Sequence, residues 1–334
     1  MNIYDVSKKA GVSIATVSRV LNGNSNVTEK TRRKVLLAMK ELDYTPNVFA
    51  RGLGLNTMKT IGIMCTDSSD IYLANAVYYT EQELRKNGYD SILCCTGSSY
   101  DTKRKYLNLI LSKRVDALIL IGSQFASNSP QQSNSYIIDA AAELPVVLVN
   151  GYLEGDNIYS VMCNDRKAVS DATALLIDSG CRRPVYLYTS SSYSGTNKLS
   201  GFNHACASAA GILESTHSHM CAKNIDSAKD YLNSIYNEGM LFDAVIASDD
   251  SLAVGAVKFA HEHGISIPEE LQIIGYNNSV LANCTEPELT SIDSKVEHLS
   301  VEAVRLLMKV LSGENAAHSY VFAADIIKRN TTKF

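Results

Sequence analysis

The sequence from Tyr4 to Asn22 reads YDVSKKAGVSIATVSRVLN, and this stretch decides how the N-terminal part of the chain folds. Apolar residues recur at helical spacing on both sides of Gly11, which predicts one helix over 3–10 and a second from Ile14 to about Leu21. Gly11 ends the first helix, and Ser13 suits the N-cap of the second. Two short helices joined by such a tight turn are typical of a helix-turn-helix.

A third helix is predicted over Glu29–Leu42, with Thr28 as its N-cap, and it would complete a small bundle. Its predicted apolar stripe consists of Val35, Leu36, Met39 and Leu42. Asn22-Gly23-Asn24-Ser25, between the second and third helices, has the composition of a loop.

The second helix has an apolar face formed by Val17, Val20 and Leu21, so its polar face should point outward. Such a helix fits the major groove of DNA. Arg19 can donate two parallel hydrogen bonds to a guanine, whereas Ile14 and Ala15 offer apolar contacts to thymine methyl groups. Hydroxyl groups suit phosphate oxygens. The residues of this region expected to contact DNA are Ser13, Ile14, Ala15, Thr16, Ser18, Arg19 and Asn22.

The charge is distributed unevenly along the 334 residues. Residues 1–60 hold ten Lys and Arg against four Asp and Glu, a net charge of +6, although the whole chain carries −4 and the remainder therefore −10. A basic head on an acidic body indicates a polyanionic partner for the head. A three-helix bundle without a DNA role is the alternative, and this charge disfavours it.

The same residues resemble a known family of bacterial regulators. Residues 4–13 (YDVSKKAGVS) and 15–22 (ATVSRVLN) look like the DNA-binding head of the lactose/galactose repressor (LacI/GalR) family, and 44–53 (YTPNVFARGL) is similar to its hinge. The resemblance implies a homodimer whose hinge helices pair on operator DNA, where Leu53 would enter the minor groove and kink the duplex. The hinge residues expected to contact DNA are Asn47, Ala50, Arg51 and Leu53. A plain interdomain linker is the alternative.

The remainder of the chain alternates apolar strand-like runs with helical ones, which indicates parallel sheets covered on both faces. The number of such units is too high for one small sheet and favours two α/β lobes with a cleft between them. The predicted strands are Thr60–Cys65, Ser91–Cys95, Ala117–Ile121, Val146–Val149, Tyr159–Cys163, Val185–Tyr188, Ala244–Ala247 and Gln272–Gly275. The predicted helices include Ala74–Asn87, Thr102–Arg114, Lys167–Ser179, Gly201–Gly211, Leu252–His263 and Val296–Leu311.

The predicted fold is thus an all-α helix-turn-helix head plus an α/β body, and the resemblance makes that body a sensor domain like the periplasmic sugar-binding proteins. We expect a DNA-binding domain over 1–45, a hinge over 46–58 and an effector-binding and dimerisation domain over 59–334. The first lobe would comprise about 60–158 and 290–318, and the second about 159–289 and 319–334.

Ligands bind such folds where the carboxyl ends of the strands open into a crevice. Polar residues at these predicted strand ends are the candidates for binding an effector, because carboxylates and amides bind hydroxyl groups. The candidates are Asp70, Tyr72, Leu73, Ser123, Asn150, Asn164, Lys198, Asp249, Asp250 and Asn277.

Two of these residues depart from the pattern of effector-binding members of the family. Lys198 stands where Arg is usual and lacks its planar fork, and Asn277 stands where Asp is usual. The lysine is also found in the family's catabolite control proteins, whose recognition helix the segment IATVSR at 14–19 resembles. The sequence therefore leaves two alternatives open: a small, carbohydrate-like effector, or a protein coregulator.

Other function classes find less support. The sequence has no P-loop, no G-x-S-x-G and no strand-linked G-x-G-x-x-G, so we expect neither an enzyme nor a cofactor. The spacing of His217 and His219 would place them on different faces of a helix, so we expect no metal site. The chain shows no signal peptide or membrane span, and none of its eight cysteines forms a C-x-x-C pair. A transport protein is therefore disfavoured, and a cytoplasmic location is expected.

Overall fold

The structure, a computed structural model, describes residues 1–21, 26–44, 57–126 and 134–334. The chain divides into two compact units: residues 1–60 with 114–116, and residues 61–113 with 117–334. Most of the predicted hinge lies outside the described residues. Its last two residues are described: Thr57 donates its hydroxyl to Asp116 at 2.7 Å, and the N–H of Met58 donates to the same carboxylate at 2.8 Å.

The head contains helices α1 (Ile3–Ala10), α2 (Ile14–Leu21) and α3 (Glu29–Glu41). Gly11 ends α1 in the left-handed conformation (φ 65°), which glycine adopts without steric cost. The Lys9 ammonium pairs with the Glu41 carboxylate at 2.9 Å and joins α1 to α3. The six buried apolar residues of the described head are Val6, Ala10, Val17, Val20, Val35 and Ala38.

The predicted apolar stripe of α3 was wrong at one position. Leu36 is 51% exposed, and Ala38 takes the buried place beside Val35. The physical reason is helical spacing, because residue i+3 shares a face with residue i whereas residue i+1 lies about 100° away. The helix also ends at Glu41, with Leu42 as its C-cap.

The body contains two sheets, each with six strands among the described residues. The strands are β1 (Thr60–Cys65), β2 (Asp90–Cys95), β3 (Ala117–Ile121), β4 (Val146–Val149), β5 (Ile158–Cys163), β6 (Pro184–Tyr188), β7 (His217–Met220), β8 (Ala244–Ala247), β9 (Gln272–Tyr276), β10 (Thr290–Asp293), β11 (Ser319–Phe322) and β12 (Asp325–Ile327). The orders are β11-β5-β4-β3-β1-β2 and β12-β10-β9-β8-β6-β7. β10 pairs with β12 in the antiparallel direction, whereas the pairs β1–β3, β3–β4, β4–β5, β5–β11, β6–β7, β6–β8, β8–β9 and β9–β10 are parallel.

Helices cover both sheets. They are α4 (Ile71–Lys86), α5 (Tyr100–Leu111), α6 (Ser135–Ala141), α7 (Asp165–Asp178), α8 (Tyr193–Ser208), α9 (Ile225–Asn237), α10 (Asp250–His263) and α11 (Val296–Leu311). Helices α4 and α11 pack on one face of the first sheet. Helices α9 and α10 pack on one face of the second sheet, and α7 and α8 on the other. Each sheet with its helices forms one lobe, called here the first and the second lobe.

The crossings between lobes differ from the predicted ones. Strand β5 pairs with β4 in the first sheet, β10 pairs with β9 in the second, and β11 pairs with β5 in the first. The predicted boundaries at 158/159, 289/290 and 318/319 were therefore wrong. The physical reason is that a strand completes its ladder of hydrogen bonds before the chain leaves the sheet. In the described chain the crossings follow Cys163, Asp293 and Phe322.

The close packing of α7 on α8 depends on a glycine and gives a test of the fold. A methyl group on Gly201 would lie 2.2 Å from the carbonyl oxygen of Arg166, so Gly201→Ala should force the helices apart and lower the free energy of unfolding by about 2 kcal/mol. Urea unfolding followed by circular dichroism measures this. Gly211→Ala, which meets nothing within 4 Å, is the control and should change it by less than about 0.5 kcal/mol. If Gly201→Ala and Gly211→Ala unfolded at the same urea concentration, this packing of α7 on α8 would be contradicted.

Candidate functional site

The head presents one face of α2 to solvent. Val17 and Val20 are buried, whereas Ile14, Ala15 and Arg19 are exposed. The hydroxyls of Ser13 and Thr16 lie 2.9 Å apart, and the N–H of Thr16 donates to the Ser13 hydroxyl at 3.2 Å, so these groups cap the helix. The exposed face therefore begins at the capped N-terminus of α2, which is the end that enters the major groove in a helix-turn-helix.

The second candidate site lies between the two lobes of the body. A cavity of about 90 Å³ is lined there by residues that directly follow strands of both sheets. Thr66 follows β1, Asn150 follows β4 and Ser248 follows β8. The first lobe contributes Thr66, Asp70, Tyr72, Leu73, Gly122, Ser123, Gln124 and Asn150, and the second contributes Thr189, Ser190, Ser192, Ser194, Gly195, Lys198, Lys223, Ser248, Asp249 and Asn277.

Several buried polar atoms of this cavity have no protein partner. They are the Tyr72 hydroxyl, the Asn150 amide oxygen and the Ser248 hydroxyl, on side chains that are each more than 90% buried. Burial raises the pKa of Tyr72 well above its ordinary value, so this hydroxyl is a neutral donor and acceptor. A buried polar group without a hydrogen bond costs about 1–3 kcal/mol. A bound molecule with hydroxyl groups would recover that free energy.

Lys198 belongs to the wall of the cavity, in the second turn of α8. Its ammonium donates to the carbonyl oxygen of Ser248 at 3.1 Å and lies 3.5 Å from the centre of the Tyr276 ring. Burial lowers its pKa, and the carboxylates of Asp165 and Asp249 oppose this effect. The predicted bounds of this helix, Gly201–Gly211, were wrong. Helix α8 begins at Tyr193, eight residues before the predicted start, because the Ser192 hydroxyl accepts from the N–H of Gly195 and caps the helix there.

Opposite charges meet at the rim of the cavity. The Lys223 ammonium contacts the Asp70 carboxylate of the first lobe and lies 3.2 Å from the Asp249 carboxylate of the second. The Asn277 amide donates to Asp249 at 3.2 Å, which an Asp at position 277 could not do. The hydroxyl of Ser123 donates to that of Ser192 across the cleft at 2.8 Å.

Eight of the ten predicted effector residues line this cavity, and two do not. Asn164 caps α7 by accepting from the N–H of Lys167 at 3.2 Å. Asp250 is 99% buried below the site, where it accepts from the Ser291 hydroxyl and the Ser279 N–H, each at 2.6 Å. The reason is local geometry, because both residues lie where a helix begins: Asn164 is the N-cap of α7, and Asp250 is the first residue of α10. Of the predicted DNA-binding residues, Asn22, Asn47, Ala50, Arg51 and Leu53 lie outside the described residues.

Lys223 and the serines after β6 were not among the predicted site residues. Lys223 follows β7, whose sequence His-Ser-His-Met lacks the apolar run that marks the other strands. His217 and His219 were wrongly placed on a helix; in the strand both stack on Tyr231, with His219 at 3.6 Å between ring centres. The run Thr189-Ser190-Ser191-Ser192 directly after an apolar strand was a signal that could have been used.

The fold and the cleft define a class: a helix-turn-helix head and a two-lobed α/β body with a polar crevice at its strand ends. Residues 2–47 match the family described as bacterial regulatory proteins, lacI family, and residues 173–332 match the periplasmic binding protein-like domain. An HTH-type transcriptional regulator of Lachnoclostridium phytofermentans is 55% identical over 334 residues, all of both chains. Catabolite control protein A of Priestia megaterium is 30% identical over 96% of each chain.

The solved structures show the same architecture. The crystal structure of the lac repressor dimer bound to operator and the anti-inducer ONPF has a TM-score of 0.87, at 23% identity and with 99% of each chain covered. The chain described here belongs to the LacI family of bacterial regulatory proteins and is a DNA-binding transcriptional regulator. Among its described residues, every helix is too short or too polar to cross a membrane.

The buried Asp250 gives this region a testable pH dependence. Burial raises its pKa from 3.8 to about 6. The folded state therefore binds more protons than the unfolded state between these two values, and the contribution of Asp250 to stability falls as the pH rises through this window. Between pH 4.5 and pH 7 the unfolding free energy of the wild type, minus that of Asp250→Asn, should fall by about 2 kcal/mol. Urea unfolding at both pH values measures it, and a constant difference would contradict the assignment.

Proposed function

We propose that this chain is a repressor that binds a near-palindromic operator as a homodimer. In this proposal residues 1–45 read DNA, 46–58 form a hinge, and 59–334 bind an effector and dimerise. A small, uncharged, hydroxyl-rich ligand in the cleft of each subunit controls DNA affinity. Such a regulator works in the cytoplasm, where the operator is. The observation that carries the proposal is the cavity with its unpartnered buried polar atoms, in a chain whose head belongs to a DNA-binding family.

The lining of the cavity supports an uncharged polyol. The charges of its four charged residues sum to zero, since two carboxylates, Asp70 and Asp249, are balanced by two ammonium groups, Lys198 and Lys223. Hydroxyl and amide side chains form most of the remaining wall, and Tyr72 is the only aromatic residue among the described residues that line it. Hydroxyl groups on a carbohydrate-like ligand would meet these donors and acceptors. A flat nucleobase would find few stacking surfaces there.

The size of the cavity supports control by opening and closing. The cavity volume of about 90 Å³ is below the roughly 300–1,000 Å³ of ordinary small-molecule sites, so a ligand of ordinary size requires the lobes to move apart. A ligand then acts through its different affinities for open and closed forms, and it is an inducer or a corepressor according to which form favours operator binding.

A protein coregulator is the second candidate. The 30% identity with a catabolite control protein A favours it, as does the lysine at position 198. In this case the head would still select an operator, but small compounds would leave DNA affinity unchanged. Both candidate functions therefore predict selection of an operator, but only the first predicts that a small ligand changes the affinity for DNA.

The proposed reading of DNA can be tested with a matched pair of charge deletions. Arg19→Ala should relax the preference for one base pair by about tenfold or more, because it removes a bidentate contact to guanine. Lys40→Ala, an exposed cation on α3, removes the same charge away from the proposed recognition face and should keep that preference. Competition between operator variants, followed by fluorescence anisotropy at fixed salt, measures both. Unchanged base preference in Arg19→Ala would contradict the docking of α2.

The role of the cleft can be tested with two serines that each carry a buried hydroxyl without a partner. Ser248→Ala should weaken ligand binding about three- to tenfold, since Ser248 lines the cavity and would lose one neutral hydrogen bond. Ser160→Ala, in β5, is the control and should leave the affinity unchanged. Calorimetric titration with a panel of neutral mono- and disaccharides measures this. Equal effects of the two substitutions on affinity would contradict binding in the cleft.

A further inference from the structure

Lys223 joins three chain segments at the rim of the cleft. It stands between β7 and α9 in the second lobe, and its ammonium contacts Asp70 of the first lobe and Asp249 of the second. Asp70 also accepts from the N–H of Leu73 at 3.0 Å and caps α4. Asp249 accepts from the N–H of Ser251 at 2.9 Å and caps α10. Both carboxylates are therefore held in place by a helix, and Lys223 is the element that connects them.

The electrostatics of this group favour the closed cleft. The carboxylates of Asp70 and Asp249 are 8% and 13% exposed. Burial alone would lower the pKa of Lys223, but the carboxylates of Asp249 and Asp70 outweigh it and raise the pKa. The carboxyl of Asp249 has a lowered pKa, because Lys223 and the Ser251 hydrogen bonds overcome the effect of burial. The ammonium therefore remains charged, and without it two anions would face each other from opposite lobes.

We propose that Lys223 is a built-in latch that holds the cleft closed in the absence of a ligand. A ligand must then break the contact between Lys223 and Asp70 in order to enter. The apparent affinity is reduced by the fraction of molecules that are closed. The proposal rests on the proposed function in one respect, which is that the ligand binds in this cleft. The closure itself is a property of the free protein and can be measured alone.

The chain offers a direct reporter of closure because it contains no tryptophan. Tyr152 of the first lobe and Tyr193 of the second have ring centres 5.9 Å apart across the cleft. Tyr152 is 38% exposed in this structure, so Tyr152→Trp places a single tryptophan that Tyr193 partly shields and that loses this shielding when the cleft opens. Quenching of its fluorescence by acrylamide, in the full-length protein without ligand, measures how open the cleft is.

The test compares latch variants in this reporter background. Lys223→Met removes the ammonium and keeps an unbranched side chain. Asp70→Asn removes the charge across the cleft but keeps an oxygen that can cap α4. Lys229→Met is the matched control, because Lys229 pairs with Glu262 within the second lobe at 3.5 Å.

We expect Lys223→Met and Asp70→Asn each to raise the open-to-closed ratio by up to about fivefold, the upper end for an ion pair whose lysine side chain is 42% exposed, and to raise the quenching constant accordingly. Lys229→Met should have the same quenching constant as the protein that carries only Tyr152→Trp. The double variant should be no more open than the more open single variant, because the two residues act through one contact. Equal quenching in all variants, or equal effects of Lys223→Met and Lys229→Met, would overturn the latch.

Operator binding by the same proteins separates this inference from the proposed function. If the reporter protein selects no DNA sequence while the latch variants still open the cleft, the proposed function fails and the latch stands. If the reporter protein binds an operator and quenching is the same in all variants, the latch fails and the proposed function stands.

Discussion

The body of this protein depends on one constraint: its central parallel strands are buried on both faces, so polar side chains gather where these strands end. In a parallel sheet all strands end at the same edge, and helices cover both faces. Here two such sheets turn these edges toward one cleft, and residues after β1, β3, β4, β6, β7, β8 and β9 line a single cavity. The polar site is thus a consequence of the same apolar pattern that forms the core.

The chemistry of the cleft follows from how its charges are matched. Lys198 is buried against the ring of Tyr276 and donates one of its three N–H groups to the carbonyl oxygen of Ser248, so its ammonium is partly satisfied by the protein. Lys223 is satisfied by two carboxylates from different lobes. The atoms that remain without partners are neutral, namely the hydroxyls of Tyr72 and Ser248 and the amide oxygen of Asn150. The free hydrogen-bonding capacity of the site therefore suits a neutral ligand.

Much of this arrangement could be predicted from the sequence. The bounds of α1 and α2 were predicted correctly, because a cap, a glycine and helical apolar spacing agree there. Strands with continuous apolar runs, such as β3 and β4, were also found at their observed bounds. The two-lobed fold followed from the alternation of these strands with helices, and the family resemblance was confirmed by the comparisons.

The remaining features depend on contacts that are distant in sequence. Strand β7 alternates between partly buried and exposed residues at the edge of its sheet, so its sequence has no apolar run, and Lys223 behind it was missed. Asp249 and Asp250 look equivalent in the sequence, yet one faces the cavity and the other supports β10 and the segment before it. Only the packing of the two sheets distinguishes them.

Control of operator binding by a ligand is tested most directly by selecting bound sequences from random duplex DNA. The purified protein would be used at fixed salt, with and without a panel of neutral sugars and nucleobases. We expect a near-palindromic sequence whose enrichment changes with one hydroxyl-rich, uncharged compound. A near-palindrome that is indifferent to every compound would contradict control by such a ligand and favour a protein coregulator. Failure to enrich any sequence would contradict the proposed operator-binding repressor itself.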